Sequence, residues 1–183
     1  VRVIPGRDVV VDLYVTGKIL QSDGETVDLQ IDVFDSSGKQ WLSEQYTQVV
    51  GKYAYDRRIK NMGDPFQNLY THIANDLLKY RENLNDKRVK ELRAISQLRF
   101  ARAFSPEAFD AYMTESKKGI LEIERLPAEN DSLLERVKKI RERDYLYIDT
   151  MQDYYDNFAE QMHMSYQDFR RESYDSVVKA RQL

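Results

Sequence analysis

A chain of 183 residues with 42% hydrophobic and 32% charged positions is long enough to bury a core and too apolar to be disordered. Its net charge of −3 carries no field that points to nucleic acid or an anionic membrane, and the absence of cysteine excludes disulfides, thiolate zinc sites and cysteine nucleophiles within it. No apolar run approaches the ~18 residues of a membrane span, and residues 1–5 do not read as a secretory signal. A chain that opens without Met in mid-pattern is expected to be a mature or trimmed piece, with room upstream for a signal peptide or a lipid-bearing cysteine.

From residue 12 to 50 the apolar side chains recur mainly at every second position, the alternation of a half-buried strand. The first strand is predicted over 12–19, with Leu13, Val15 and Ile19 on one face and Tyr14, Thr16 and Lys18 on the other. Ser22-Asp23-Gly24 supplies a tight turn. The second strand, 27–33, alternates without a break, so Val27, Leu29, Ile31 and Val33 face a core. Asp35-Ser36-Ser37-Gly38 makes the next turn and 41–50 a third strand, giving an antiparallel meander.

Residues 51–63 connect this unit to the first helix and carry Tyr53, Tyr55, Arg57, Arg58 and Lys60. Aromatic and basic residues on a loop suit a partner or polyanion surface; a solvated connection with its tyrosines over the sheet edge is the plainer reading. Asp64-Pro65 then marks a helix start. Phe66, Leu69, Tyr70, Ile73, Ala74, Leu77 and Leu78 recur at spacings of three and four, a stripe able to roof the sheet.

The remainder is predicted to be helical. Residues 86–102 carry Val89, Leu92, Ile95, Leu98 and Phe100 and are basic, with six Lys or Arg. Ser105-Pro106-Glu107 starts another helix that directs Phe109, Tyr112, Met113, Ile120 and Leu121 to a core and stops at Pro127. Beyond Asn130-Asp131 neither Gly nor Pro occurs, and a helix over 132–162 would be ~46 Å long, too long to lie on a small sheet. It should project as an arm, pair with the Pro106 helix as an αα-hairpin, or meet another chain. Ile148, Met151, Tyr155, Phe158 and Met162 keep a 3-4-3-4 rhythm along it, and Ser165-Tyr166-Gln167-Asp168 reads as a capping box that restarts a terminal helix. The stretch 144–168 holds six carboxylates and no Lys or Arg.

The fold class is therefore α+β, a three-stranded meander covered by a helix and followed by a long helical region, with a domain at 1–83 and a helical extension at 84–183. The residues Asp12-Leu13-Tyr14-Val15-Thr16-Gly17-Lys18-Ile19, the alternating 27–33 and Asp35-Ser36-Ser37-Gly38-Lys39-Gln40-Trp41 resemble one periplasmic domain family. Its members are the curli secretion lipoprotein, the outer-membrane activator lipoproteins of penicillin-binding proteins and the amino-terminal domain of the Tol-system β-propeller protein. The resemblance covers residues 11–80, lacks the further strand and helix with which that domain begins, and implies a fold and a periplasmic, outer-membrane setting with no functional residue carried over.

Chemistry is sparse. Asp149, Asp153, Asp156 and Glu160 share a helix face and could attract a hard cation, but a solvated face has the same pattern; Glu160 and His163 form one Glu-x-x-His, where a di-metal bundle needs a repeat. With two histidines and no glycine-rich phosphate loop, no catalytic, cofactor or metal site is expected. Thirteen tyrosines are many for this length, and Tyr145, Tyr147 and Tyr154 suit a protein interface. The chain reads as a non-enzymatic envelope module that binds a protein partner, with a self-associating subunit and an enzyme completed by residues outside this chain as alternatives.

Overall fold

Four branched side chains alternating along one strand demand a covered face, and the strand that carries them is the centre of the sheet. In the computed structural model, which describes residues 2–4, 6, 9–56, 63–128 and 130–182, strands β1 (Leu13–Ser22), β2 (Thr26–Asp35) and β3 (Gln40–Val49) pair in the order β1-β2-β3 as an antiparallel meander. Val27, Ile31 and Val33 are buried and Leu29 half-buried. The other face of β2 is polar and knitted sideways: Asp28 accepts from the Gln45 amide (2.7 Å) and the Thr47 hydroxyl (3.0 Å), and the Ser43 hydroxyl donates to Asp32 (2.6 Å).

Asp23 closes the first turn by accepting the N–H groups of Glu25 (3.0 Å) and Thr26 (2.7 Å). Burial would raise its carboxyl, but the hydrogen bonds from Thr26, Gln21 and Glu25 outweigh burial and hold it below the usual range. β1 departs from expectation, because Val15 and Ile19 are 46% and 69% exposed. Alternation fixes which residues share a face; it does not say that anything covers the face of an edge strand.

Backbone contacts group the chain into two compact units. One comprises Val15–Asp32, Leu42–Asn83 and Ala159–Leu183; the other comprises Val1–Tyr14, Val33–Trp41 and Leu84–Phe158. The seams of this division fall within β1, β2, β3 and the long helix as well as after residue 83, so neither unit is a continuous stretch of chain.

In the unit containing Val15–Asp32, Asp64 accepts the N–H of Phe66 (2.8 Å), the capping role expected of it, while helix α1 is regular only over Gln67–Glu82. Phe66, Leu69 and Ile73 are buried. Two hydrogen bonds tie β3 to α1 and to the turn before it: the Leu69 N–H donates to Gln48 Oε1 (2.7 Å), and the Gln48 amide donates to the Pro65 carbonyl (2.9 Å). Tyr70 and Leu78, expected in the apolar stripe, are 41% and 54% exposed, so one narrow row of the helix does the burying. The last segment of the chain packs here too. Arg170 reaches the second oxygen of Asp64 (2.8 Å) beneath the Tyr166 ring, and a Cβ added to Gly24, which sits at φ +85°, would lie 2.6 Å from the Tyr174 nitrogen and closer still to the Arg170 carbonyl. Only glycine admits this approach of helix backbone to turn.

The other unit is built on α2 (Asp86–Phe104), whose first turn is capped by Asn85 accepting the Arg88 N–H (2.8 Å). Ile95, Leu98, Phe100 and Ala101 of α2 form the core with Phe109, Met113, Leu121 and Val137. The helix expected from Pro106 lasts one turn, α3 (Pro106–Phe109), and gives way to a hairpin, β4 (Met113–Glu115) with β5 (Leu121–Ile123), in antiparallel register Met113 to Ile123. The physical reason is the turn at residues 116–119: Gly119 adopts φ +76° and donates to the Ser116 carbonyl (2.9 Å), and the Ser116 N–H donates to the Ile120 carbonyl (2.9 Å). The residues assigned to the core are buried or half-buried as expected, but Met113 and Leu121 reach it from strands, and with the helix ending at Phe109 no αα-hairpin forms among the described residues.

Asp131 accepts the N–H groups of Leu133 and Leu134 (2.9 Å each) and starts α4, which runs unbroken over Ser132–Ala180. The restart expected at Ser165 does not occur, since a capping box needs a break in the helix to cap and nothing here supplies one.

Candidate functional site

Three places concentrate chemistry or unusual surface. The first is the turn after β2, where Asp35, Ser36 and Ser37 are 1%, 0% and 0% exposed. Asp35 accepts from the Ser37 N–H (2.9 Å), the Ser37 hydroxyl (2.5 Å), the Lys39 N–H (3.2 Å) and the Trp41 indole (3.0 Å), with the Arg88 guanidinium 3.5 Å away. The Ser36 hydroxyl donates to the Leu92 carbonyl (2.6 Å), and its own carbonyl accepts from Arg99 (2.9 Å). Two arginines of the basic α2 stretch are thus spent inside the unit on this turn. Ser37 gives its proton to Asp35 and accepts from Arg88 (3.1 Å), leaving no free nucleophile and no histidine among these partners. The cluster is a structural knot.

The second is an open groove on α1 and β3, lined by Tyr46, His72, Asn75, Asp76, Lys79 and Glu82. Tyr46 donates to Asp76 (3.1 Å), which also takes Lys79 (2.9 Å). Burial and then the Asp76 carboxylate push the Tyr46 hydroxyl up to about 12, while Lys79 and Tyr46 hold Asp76 low. His72, Asp76 and Lys79 recur at helical spacing, so the groove is the solvated side of one helix, its carboxylate already satisfied. Among the described residues no group of three or more His, Asp or Glu side chains could hold a metal ion. None of their helices is long and apolar enough to cross a membrane.

The third is on α4. At about 100° per residue, Tyr147, Met151, Tyr154, Tyr155 and Phe158 fall within roughly a third of the helix circumference over ~17 Å of its length. Tyr147, Tyr154 and Phe158 are 61%, 68% and 62% exposed, whereas Ile148, at the border of this stripe, is buried. The neighbouring flank of the helix is occupied. Arg2 pairs with Asp149 (2.6 Å) and lies 5.9 Å from the Tyr145 ring, and the Val3 N–H donates to Gln152 (2.8 Å). On the other side of Tyr145 stands Arg141, 5.3 Å from its ring, which donates to the buried Ser96 and anchors α4 to α2.

The expected interaction residues therefore separate. Tyr147 and Tyr154 lie on the open stripe; Tyr145 is half-buried between two arginines. Tyr53 is exposed with Lys52 over its ring (5.0 Å). Tyr55 faces inward: its hydroxyl donates to the Gly24 carbonyl, its ring meets Tyr174 at 5.4 Å, and burial pushes its hydroxyl up to about 12. Arg57 and Arg58 lie outside the described residues. Met151, Tyr155 and Phe158, which the sequence presents as a packing seam, complete the open stripe; their 3-4 rhythm is the signal, and only the burial differs.

Compared with known proteins, the chain matches no family model, no curated protein and no solved structure.

Proposed function

We propose that this chain is a non-enzymatic interaction module of a bacterial cell envelope that docks a protein partner along α4. The observation that carries the docking is the aromatic stripe, in which Tyr147, Tyr154 and Phe158 present most of their surface to water on a helix whose adjoining face is packed. Taking the four aromatic rings at ~200 Å² each, the exposed part amounts to about 500 Å² of contiguous surface, at the upper end of what monomers display without a purpose. Aromatic anchors with few rotatable bonds are the residues that dominate binding energy at interfaces. The envelope setting rests on the resemblance of residues 11–80 to the periplasmic domain family.

The test is a photo-crosslinking side chain placed at Tyr154 and, as a control, at Glu107, another exposed residue of the same unit, in cells that make the protein. Adducts to another protein from position 154 and not from 107 support the proposal. Equal labelling at both positions, or none at either, overturns it.

A further inference from the structure

We propose that the cleft between α2 and α4 binds a small zwitterion, a molecule that carries an ammonium and an oxyanion on one short chain. The cleft measures about 300 Å³, the lower end of the range for small-molecule sites. Arg93 and Gln97, one turn apart on α2, line one wall; Lys138, Arg141, Glu142 and Tyr145 of α4 line the other, with Asp12 beside them. Arg141 is the fixed member of this set. Its side chain is 12% exposed, donates to the Ser96 hydroxyl and the Val10 carbonyl (3.4 Å), and packs against the Phe100 and Tyr145 rings at 5.7 and 5.3 Å.

Most of the charge in the cleft is already matched. Arg141 stands 3.9 Å from Asp12, and Lys138 holds Glu135 at 2.5 Å. Two opposite charges are left over. Arg93 on one wall and Glu142 on the other have no ion-pair or hydrogen-bond partner among the described residues, and although both line the cleft they do not pair with each other. The Gln97 amide and the Tyr145 hydroxyl, on half-buried residues, likewise bond to none of the described residues. A simple anion would meet Arg93 and be repelled by Glu142, and a simple cation would do the reverse. A molecule with both charges satisfies both walls: its oxyanion accepts from the Arg93 guanidinium and the Gln97 amide, neighbours on one helix face, and its ammonium donates to the Glu142 carboxylate. The Tyr145 ring gives the linking carbons an apolar surface. A free amino acid and an aminoalkyl phosphate headgroup share this chemistry.

The experiment is an NMR titration of the full chain with glycine and with phosphoethanolamine, set against acetate and ethylammonium as the separated halves. At least one zwitterion should shift the Gln97 side-chain amide saturably and bind at least ~10-fold tighter than either half. Arg93→Gln and Glu142→Gln, at exposed positions whose change leaves the core untouched, should each weaken that binding at least ~10-fold while melting followed by circular dichroism matches the parent. Tighter binding of glycine supports the proposal with a free amino acid as ligand. Tighter binding of phosphoethanolamine, with the chain sedimenting on phosphatidylethanolamine vesicles, supports it with a lipid headgroup. Acetate binding as tightly as the zwitterions, no saturable shift below about 10 mM, or zwitterion binding untouched by both substitutions overturns it.

Discussion

Removing the Asp35 carboxylate tests whether the buried turn is the knot that the geometry describes. Asp35→Ala strips the acceptor from the Ser37 and Lys39 N–H groups, the Ser37 hydroxyl and the Trp41 indole, and leaves Arg88 without the partner 3.5 Å away. A buried donor left unpaired costs about 1–3 kcal/mol. Ser37 is fully buried and belongs at the middle of that range; Lys39 and Trp41 lie nearer water and belong at its lower end. Arg88 is 28% exposed and keeps Glu91 at 3.1 Å, so its share is about 1 kcal/mol, far from the full loss at a deeply buried pair. The sum is about 5 kcal/mol, comparable with the entire stability of a modest domain.

Asp35→Asn keeps one acceptor oxygen for Ser37 and Lys39 but turns an amide donor towards Trp41 and Arg88, at about 2 kcal/mol. Trp41 is the single tryptophan of the chain and a ligand of this turn, so its fluorescence in urea reads the unit that contains it. With a slope of about 2 kcal/mol per molar urea, the midpoint should fall by roughly 2.5 M for Asp35→Ala and roughly 1 M for Asp35→Asn. Midpoints for both variants within ~0.5 M of the parent would refute the claim that the carboxylate organises the turn.

Gly24→Ala meets both a positive φ and the backbone of α4, so it should release the segment around Arg170 and Tyr174; trypsin should then cut after Arg170 and Arg171 much faster than in the parent, and an unchanged digestion pattern would contradict the close approach. Alkali gives a second test. Tyr46 and Tyr55 titrate near 12 when folded and near 10 when unfolded, so the unfolded chain loses these protons first; the stability they contribute is intact below pH 10 and declines between pH 10 and 12. Tyr46→Phe/Tyr55→Phe should show a shallower decline across that window when melting is followed by circular dichroism, and identical slopes would show that neither hydroxyl is shielded.

What is legible in the residues depends on distance along the chain. The alternation in β2 predicts its buried face because a central strand must cover that face, whereas the same alternation in β1 misleads, since Val15 and Ile19 stay largely exposed on the edge. The hairpin of β4 and β5 escapes a reading by period because Phe109, Met113 and Leu121 satisfy helical spacing as well as strand alternation; Gly119 after Ser-Lys-Lys is the available correction. Asp35-Ser36-Ser37-Gly38 reads simply as a turn; its burial comes from Arg88, Leu92 and Arg99, more than 50 positions away, which no local pattern reports. On α4 the absence of Gly and Pro correctly announces a long helix. The stripe itself is visible as a 3-4 rhythm, but periodicity does not say whether the partner of a seam belongs to the same chain.

Helix energetics sharpen that last point into a prediction. Residues 153–166 of α4 are exposed throughout, and Asp, Tyr, Asn, Phe, His and Ser among them are mediocre helix formers. No Lys or Arg lies between 144 and 169 to form stabilising pairs one turn apart, and an isolated helix of this length is marginal in water. Its order is held by packing elsewhere on α4, at Val137 and Ile148 in one unit and Arg170 in the other. The aromatic rings at 154 and 158 then contribute little to folding while lowering local helix propensity by about 0.5 kcal/mol each relative to alanine. Tyr154→Ala/Phe158→Ala should accordingly leave the melting temperature unchanged or raise it by up to about 4 °C, opposite in sign to the loss of about 2–5 kcal/mol expected for the buried Ile148→Ala. Local composition that opposes the fold while exposing aromatic surface is what the proposed docking along α4 predicts. A fall of several degrees in the double-alanine variant would mean that the rings are packed within the chain, and the stripe would then be core and not surface.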